Sequence, residues 1–301
     1  MILVCGDTIL DEVREYKSNK ISAEAPIPVL ILKKRFFFLG GAANVANNIK
    51  KLSGEVFFLS SIGKDKKGLE VKRLLKKNKI KHKLFEDKSY KTSHKNRGHL
   101  DNKLIFRIDN EKRKVIKNSD KNLILKFIKK NIDNFSSVII SDYNKGFFDK
   151  KLIKEISLVF KNKNKFIITN PKNKNILYYN HSNIIVPNEK EFNNFFNKKI
   201  SLNEKISIFF KKIVDLKYLI ITRGHKNVII ASFKNKIKIK YLKVNKVKSI
   251  DVTGASDTFL ATLSVYLNKK FNVIQSTYKA IKASKKVVTK NYTSFVTKHE
   301  I

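Results

Sequence analysis

The strongest constraint on this chain is a rhythm in which short, wholly apolar runs alternate with segments of helical periodicity. Runs over 2–4, 56–60, 138–141, 166–169, 184–186 and 219–222 read as strands. Ala42, Val45, Ala46, Ile49 and Leu52 share one face of a helix over 42–52, and a second helix reads over 68–79. Strands that are apolar throughout must be covered on both faces, and intervening helices supply that cover. The expected fold is therefore α/β, a doubly wound and mainly parallel sheet. Two stretches break the rhythm, near 12–38 and 91–109. Both read as extended, and they suit a small β-sheet lid on the α/β core. The plainer alternative is two surface excursions. With no internal repeat and no Pro/Gly/Ser-rich linker, residues 1–301 are read as one domain.

The stretch SIDVTGASDTFLATL, residues 249–263, carries the chemistry. Phe259, Leu260, Leu263, Tyr266 and Leu267 recur on one helical face, so a helix should start at Ala255 or Ser256 and run to Asn268. Ile250 and Val252 are expected to end an extended segment before it. A small-residue turn into a helix leaves backbone N–H groups without partners and makes an anion site. Asp257 beside that site has two readings. One is an N-cap. The other is phosphoryl transfer: N–H groups of Gly254, Ala255 and Ser256 hold developing charge while Asp257 takes a proton from an attacking hydroxyl.

Composition narrows the partners. The net charge of +40 comes mostly from lysines spread along the whole chain, amid abundant Asn, Ile and Phe. That is the residue set of A/T-rich codons, so no specific nucleic-acid partner is expected. No apolar run is long enough to span a membrane, and the single Cys5 excludes an internal disulfide and fits a reducing cytoplasm. The six histidines show no metal-ligand spacing.

Three ordered motifs carry a resemblance. GGAANVANNIKKLSGEVFFLSSIGKD (40–65), VPNEKEF (186–192) and the 249–263 stretch together resemble the ribokinase-like family of sugar kinases along the whole chain. GDTILDE (6–12), ISAEAPIPVL (21–30), KLIFRIDNE (103–111), SDYNKG (141–146) and NPK (170–172) resemble the members that phosphorylate D-glycero-D-manno-heptose 7-phosphate at its anomeric hydroxyl. Those members are often fused to a nucleotidyltransferase; here the kinase-like region runs almost to Ile301, and no second activity is expected.

The resemblance implies roles. Asp257 would be the catalytic base, with Gly254, Ala255 and Ser256 as its anion hole. Asp7, Asp11, Gly41 and Asn44 would hold the sugar, and Lys95, Arg97 and Lys172 its phosphate. Turn and cap chemistry is the alternative for Asp7 and Asp11, and a structural pair for Arg107 with Asp109. Asn188, Glu189, Lys190 and Glu191, with Thr222 and Gly224, would meet ATP. Glu191 would order a hydrated Mg²⁺ through water, although a plain helix cap explains Asn188 equally well. A monovalent cation is a further candidate ligand, and a homodimer through the lid is expected. The chain also departs from the family: Ser256, Asn227, Lys285 and Tyr292 stand where glycine is usual, Ile281 where Asn is, and Asn170 where Asp is. Asn is the residue best able to take glycine's left-handed geometry at 227. Two rival readings stay open: a kinase of another sugar or sugar phosphate, and a decayed, non-catalytic basic binding protein.

Overall fold

A computed structural model describes residues 1–113, 115–172, 175–196 and 200–301. In chain order the elements are β1 (Ile2–Gly6), β2 (Thr8–Lys17), β3 (Ile31–Gly41), α1 (Ala42–Lys51), β4 (Val56–Gly63), α2 (Lys66–Lys77), β5 (Lys81–Asp87), β6 (Ser93–Leu100) and β7 (Lys103–Asn110). They continue as α3 (Asn118–Asn131), β8 (Ser137–Ser141), α4 (Lys150–Lys161), β9 (Phe166–Asn170), β10 (Ile184–Ile185), α5 (Glu189–Asn194) and α6 (Leu202–Lys212). The last are β11 (Tyr218–Ile221), β12 (Val228–Phe233), β13 (Ile237–Leu242), α7 (Ala255–Asn268) and α8 (Val273–Val288).

Among the described residues, nine strands form one sheet in the order β13-β12-β11-β10-β9-β8-β1-β4-β5, parallel except where β12 and β13 turn antiparallel at one edge. Alternation within its strands explains the two-sided cover. Ile2 and Val4 of β1 and Ile139 of β8 join a core with α1, α2, α7 and α8. Leu3 and Cys5 of β1, with Val138 and Ile140, face a second core with α3, α4, α5 and α6. Each aliphatic side chain so buried contributes about 1.5–3 kcal/mol.

The two stretches that break the rhythm form a separate four-stranded sheet, β3-β2-β6-β7, with β2 and β6 running parallel. It starts earlier than the sequence suggests, at Thr8, because β1 passes into β2 across the single residue Asp7. The order of the large sheet reverses at β1: the chain moves to β4 and β5 on one side and later to β8 on the other. Ligands bind at the carboxyl ends of strands beside such a switch point. Asp7 follows β1 and Asp142 follows β8, so both lie there.

Candidate active site

The start of α7 has the geometry of an anion site. Gly254 precedes it at φ 80°, and no side chain caps the helix. Glycine is required there, since the φ is left-handed and a Cβ would come within 3.0 Å of Asn44 Nδ2. The Ala255 N–H donates to the Val252 carbonyl at 3.3 Å and the Thr258 N–H to the Gly254 carbonyl at 2.9 Å. Among the described residues, those of Ser256 and Asp257 have no protein acceptor. Ser256 itself is exposed. The N-cap reading of Asp257 fails, because this residue sits inside the first helical turn with its side chain buried elsewhere. Ile250 and Val252, expected to end an extended segment before the helix, are exposed and outside any strand, and the Ile250 N–H is held by the Val288 carbonyl at 2.7 Å.

Asp257 Oδ2 accepts a hydrogen bond from Asn44 Nδ2 at 2.8 Å, and Oδ1 accepts one from the Tyr143 phenol. Burial pushes the carboxyl up to about 6, against the opposing pull of Tyr143, Asn44 and the Lys172 charge. Asn44 therefore serves the carboxylate, whereas the sequence reading gave its amide to the sugar. It is fixed in turn: Asn48 Nδ2 donates to Asn44 Oδ1 at 3.0 Å, and the Thr258 hydroxyl to Asn48 Oδ1 at 3.0 Å. Sequence reasoning gave no role to Asn48, Thr258 or Tyr143, although each lies within a motif that carries the resemblance, 40–65, 249–263 and 141–146.

The expected sugar ligands divide. The Asp7 carboxylate accepts from three backbone N–H groups, those of Tyr143 (2.8 Å), Lys145 (3.2 Å) and Phe147 (2.9 Å). A loop thus engages this carboxylate, which is the geometry of the turn reading. Burial, reinforced by the nearby Asp142, raises its pKa. Gly41, at φ 59°, makes its close approach to the Asp7 carbonyl, which a Cβ would meet at 2.6 Å. Asp11 faces the site from β2 and receives Arg97 Nη1 at 2.7 Å. Burial raises its pKa in spite of that cation.

The cations expected to hold a phosphate all face carboxylates instead. Arg97 pairs with Asp11, and Lys95 with Asp109 (3.1 Å) and Glu111 (3.0 Å). Arg107 and Asp109 form the structural pair that the sequence left open, Nη2 to Oδ2 at 2.7 Å. Lys172 pairs with Glu191 and lies 5.3 Å from the Tyr143 ring centroid. It is thus placed at the α7 end of the site, away from the small sheet that carries Arg97 and Lys95.

A cavity of about 470 Å³ adjoins the α7 turn, lined by Asn188, Thr222, Gly224, Ala255, Ser256 and Phe259 among others. Asn188 caps α5 in a box with Glu191, so the helix-cap reading holds here as well. A bridge joins Asn188 to Thr222, and Gly224 turns the chain at φ 60°. Glu189 is tied to Arg223 at 2.8 Å, and Lys190 is exposed outside the cavity lining. Glu191 Oε1 accepts from Asn188 Nδ2 and Lys172 while Oε2 accepts from the Asn188 N–H, so its oxygens suit a metal only through water. Ile281 and Lys285 line the cavity, but Tyr292 does not. Tyr292 takes a left-handed φ of 61° and donates to Glu15 Oε1 at 2.6 Å, reaching the small sheet. Asn227 does not adopt glycine's geometry.

Residues 1–299 match the pfkB family carbohydrate kinases. The chain belongs to that family. It is similar to the Bifunctional protein HldE of Helicobacter pylori strain HPAG1, 31% identical over 304 residues, and to that of Aliarcobacter butzleri strain RM4018, 33% identical over 306. Both matches cover all of the kinase, which spans 65% and 63% of those relatives' lengths. Its fold is also that of phosphofructokinase-2 from Escherichia coli (TM-score 0.77, 16% identity, 100% and 96% of the two chains covered). Ribokinase from Giardia lamblia is equally near (0.78, 16%, 99% and 96%).

Proposed function

We propose that this kinase transfers the γ-phosphoryl group of ATP to the anomeric hydroxyl of D-glycero-D-manno-heptose 7-phosphate, with Asp257 as general base. The observation that carries the reading is a buried carboxylate with a raised pKa beside two unpartnered helix N–H groups. A carboxylate titrating close to neutrality is a better proton acceptor than an ordinary one and is still ionised at pH 7. Asp257 takes the hydroxyl proton, the sugar oxygen bonds to the γ-phosphorus, and the bond to the bridging oxygen breaks to release ADP. The Ser256 and Asp257 N–H groups and the helix dipole hold charge on the transferring group. Asn188, Thr222 and Gly224 line the cavity proposed for the nucleotide. Mg²⁺ bound with ATP would screen phosphate charge, and Glu191 would hold it through water.

The heptose assignment draws on the sequence motifs and on the HldE relatives. Asp11 is the carboxylate offered to the sugar, and the small sheet acts as a lid that excludes water. Leu32, Leu104 and Ile108 are exposed on that sheet, which supports pairing of two chains through it. One observation favours a second reading, a sugar without the remote phosphate: Arg97, Lys95 and Lys172 each already face a carboxylate. A phosphorylation assay across free sugars and sugar phosphates tests the choice. Heptose 7-phosphate should be turned over best. Equal use of free heptose would remove the heptose-phosphate assignment and leave the broader kinase, and no turnover of any sugar would sink both.

A further inference from the structure

The loop after β8 does more than close a turn. Asp142 accepts from the Tyr179 hydroxyl at 2.6 Å and from the Asn144 N–H at 2.7 Å. Asp7 gathers the N–H groups of Tyr143, Lys145 and Phe147 from below. Asn144 at φ 55° and Gly146 at φ 113° give the loop the reversals that let three N–H groups converge on one carboxylate. Lys145 pairs with Glu111, which follows β7 of the small sheet and also receives Lys95. A loop fixed from so many sides holds one side chain, Tyr143, against Asp257.

We propose that Tyr143 is the positioning residue of the base, holding Asp257 between two donors, and that Asp7 sets its place. The proposal rests on Asp257 being the base. Among the described residues each carboxylate oxygen accepts one protein hydrogen bond, from Tyr143 or Asn44, and has a second lone pair left for a sugar hydroxyl. The phenol keeps its own proton, because burial and the Asp257 charge hold its pKa well above the ordinary value. It is therefore a permanent neutral donor to the ionised carboxylate and favours that ion without neutralising it. Lys172, from the segment after β9, favours the ion, and Asp11 of β2 opposes it; Asn44 of α1 is neutral. Glu191 of α5 bears on the phenol.

Tyr143→Phe tests this, since it keeps the ring beneath Lys172 and removes only the hydroxyl. The carboxyl titration of Asp257, followed by carbon NMR on labelled protein without substrate, should move upward by about one pH unit. Below both midpoints the ionised fraction then falls about tenfold, and well above them the difference closes. The kcat ratio of variant to wild type should therefore be about one tenth near pH 5 and rise with pH, with KM for sugar and ATP little changed. Asp7→Asn, which withdraws an acceptor from the loop, should move the titration in the same direction. Should Tyr143→Phe fail to fold, Lys145→Met loosens the same loop from the small sheet, with an upward shift again expected. A folded Tyr143→Phe protein whose Asp257 titrates as in the wild type overturns the proposal. An effect confined to sugar KM does so too, making Tyr143 a substrate contact. An unmoved titration in folded Asp7→Asn removes the part given to Asp7. The NMR arm needs no turnover, so it still decides the matter if the kinase reading fails in the sugar assay.

Discussion

Two buried carboxylates in this molecule have opposite fates. Asp257, in the large α/β unit, is met by a phenol and an amide. Glu12, in the small sheet, is wholly buried and is met by Arg14 and Arg35 (both 2.6 Å), Lys67 (3.0 Å) and His94 (2.7 Å). Burial raises the pKa in both places. At Asp257 it wins, and the value is pushed to about 6. At Glu12 the hydrogen bonds from Arg35, Arg14 and Lys67 overcome it, and the value falls to about 2. At Asp257 a phenol and an amide do not offset burial, whereas at Glu12 three cationic donors more than offset it.

The largest effect should come from removing the base. Asp257→Asn is expected to cut turnover about 10²–10⁴-fold while leaving the fold intact, checked by steady-state kinetics beside circular dichroism. Loss of Glu12 should act differently. Glu12→Ala leaves Arg14, Arg35 and Lys67 facing one another and should cost about 3–5 kcal/mol in chemical denaturation. Because the folded-state value lies below the ordinary 4.5, the stabilisation from Glu12 is complete above about pH 4.5 and is lost as pH falls toward 2. Denaturation of wild type and Glu12→Gln across that window should converge at the acid end.

A smaller effect should come from a cation of the small sheet. Arg97→Met removes the partner of Asp11 and is expected to narrow the preference for a phosphorylated over a free sugar about tenfold. An unchanged preference, read as a ratio of kcat/KM values, would leave Arg97 as a partner of Asp11 alone. The smallest belongs to Ser256→Gly. The backbone N–H is what Ser256 offers, so turnover should stay within about twofold of wild type. A large loss without unfolding would show that the hydroxyl works in the site.

How much of this was legible in the sequence follows from the range of each signal. Phe259, Leu260 and Leu263 mark α7 by spacing alone, and its observed span, Ala255–Asn268, agrees with that reading. The apolar runs likewise became strands of one sheet, because short runs of apolar residues between helices suit strands covered on both faces. Pairing across long separations left no such trace. Nothing local joins Tyr143 to Asp257, 114 residues away, or β2 to β6 in parallel. Charge was the least legible feature: among so many lysines, neither Lys95 nor Lys172 announces the carboxylate it meets. A carboxylate beyond a strand looks the same in sequence whether it faces a hydroxyl or, as at Asp7, three backbone N–H groups. Tyr292, which stands where the family has glycine, packs on Phe36 and His99 of the small sheet.

The contrast between the two carboxylates can be measured directly. Carbon NMR of labelled protein follows both through one pH titration, with the signals assigned by their loss in Asp257→Asn and Glu12→Gln. The account predicts an Asp257 midpoint near 6 and a Glu12 carboxyl that stays ionised to about pH 2. An Asp257 midpoint at or below the ordinary 3.8 would contradict it, because the carboxylate would then have no more proton affinity than an exposed aspartate.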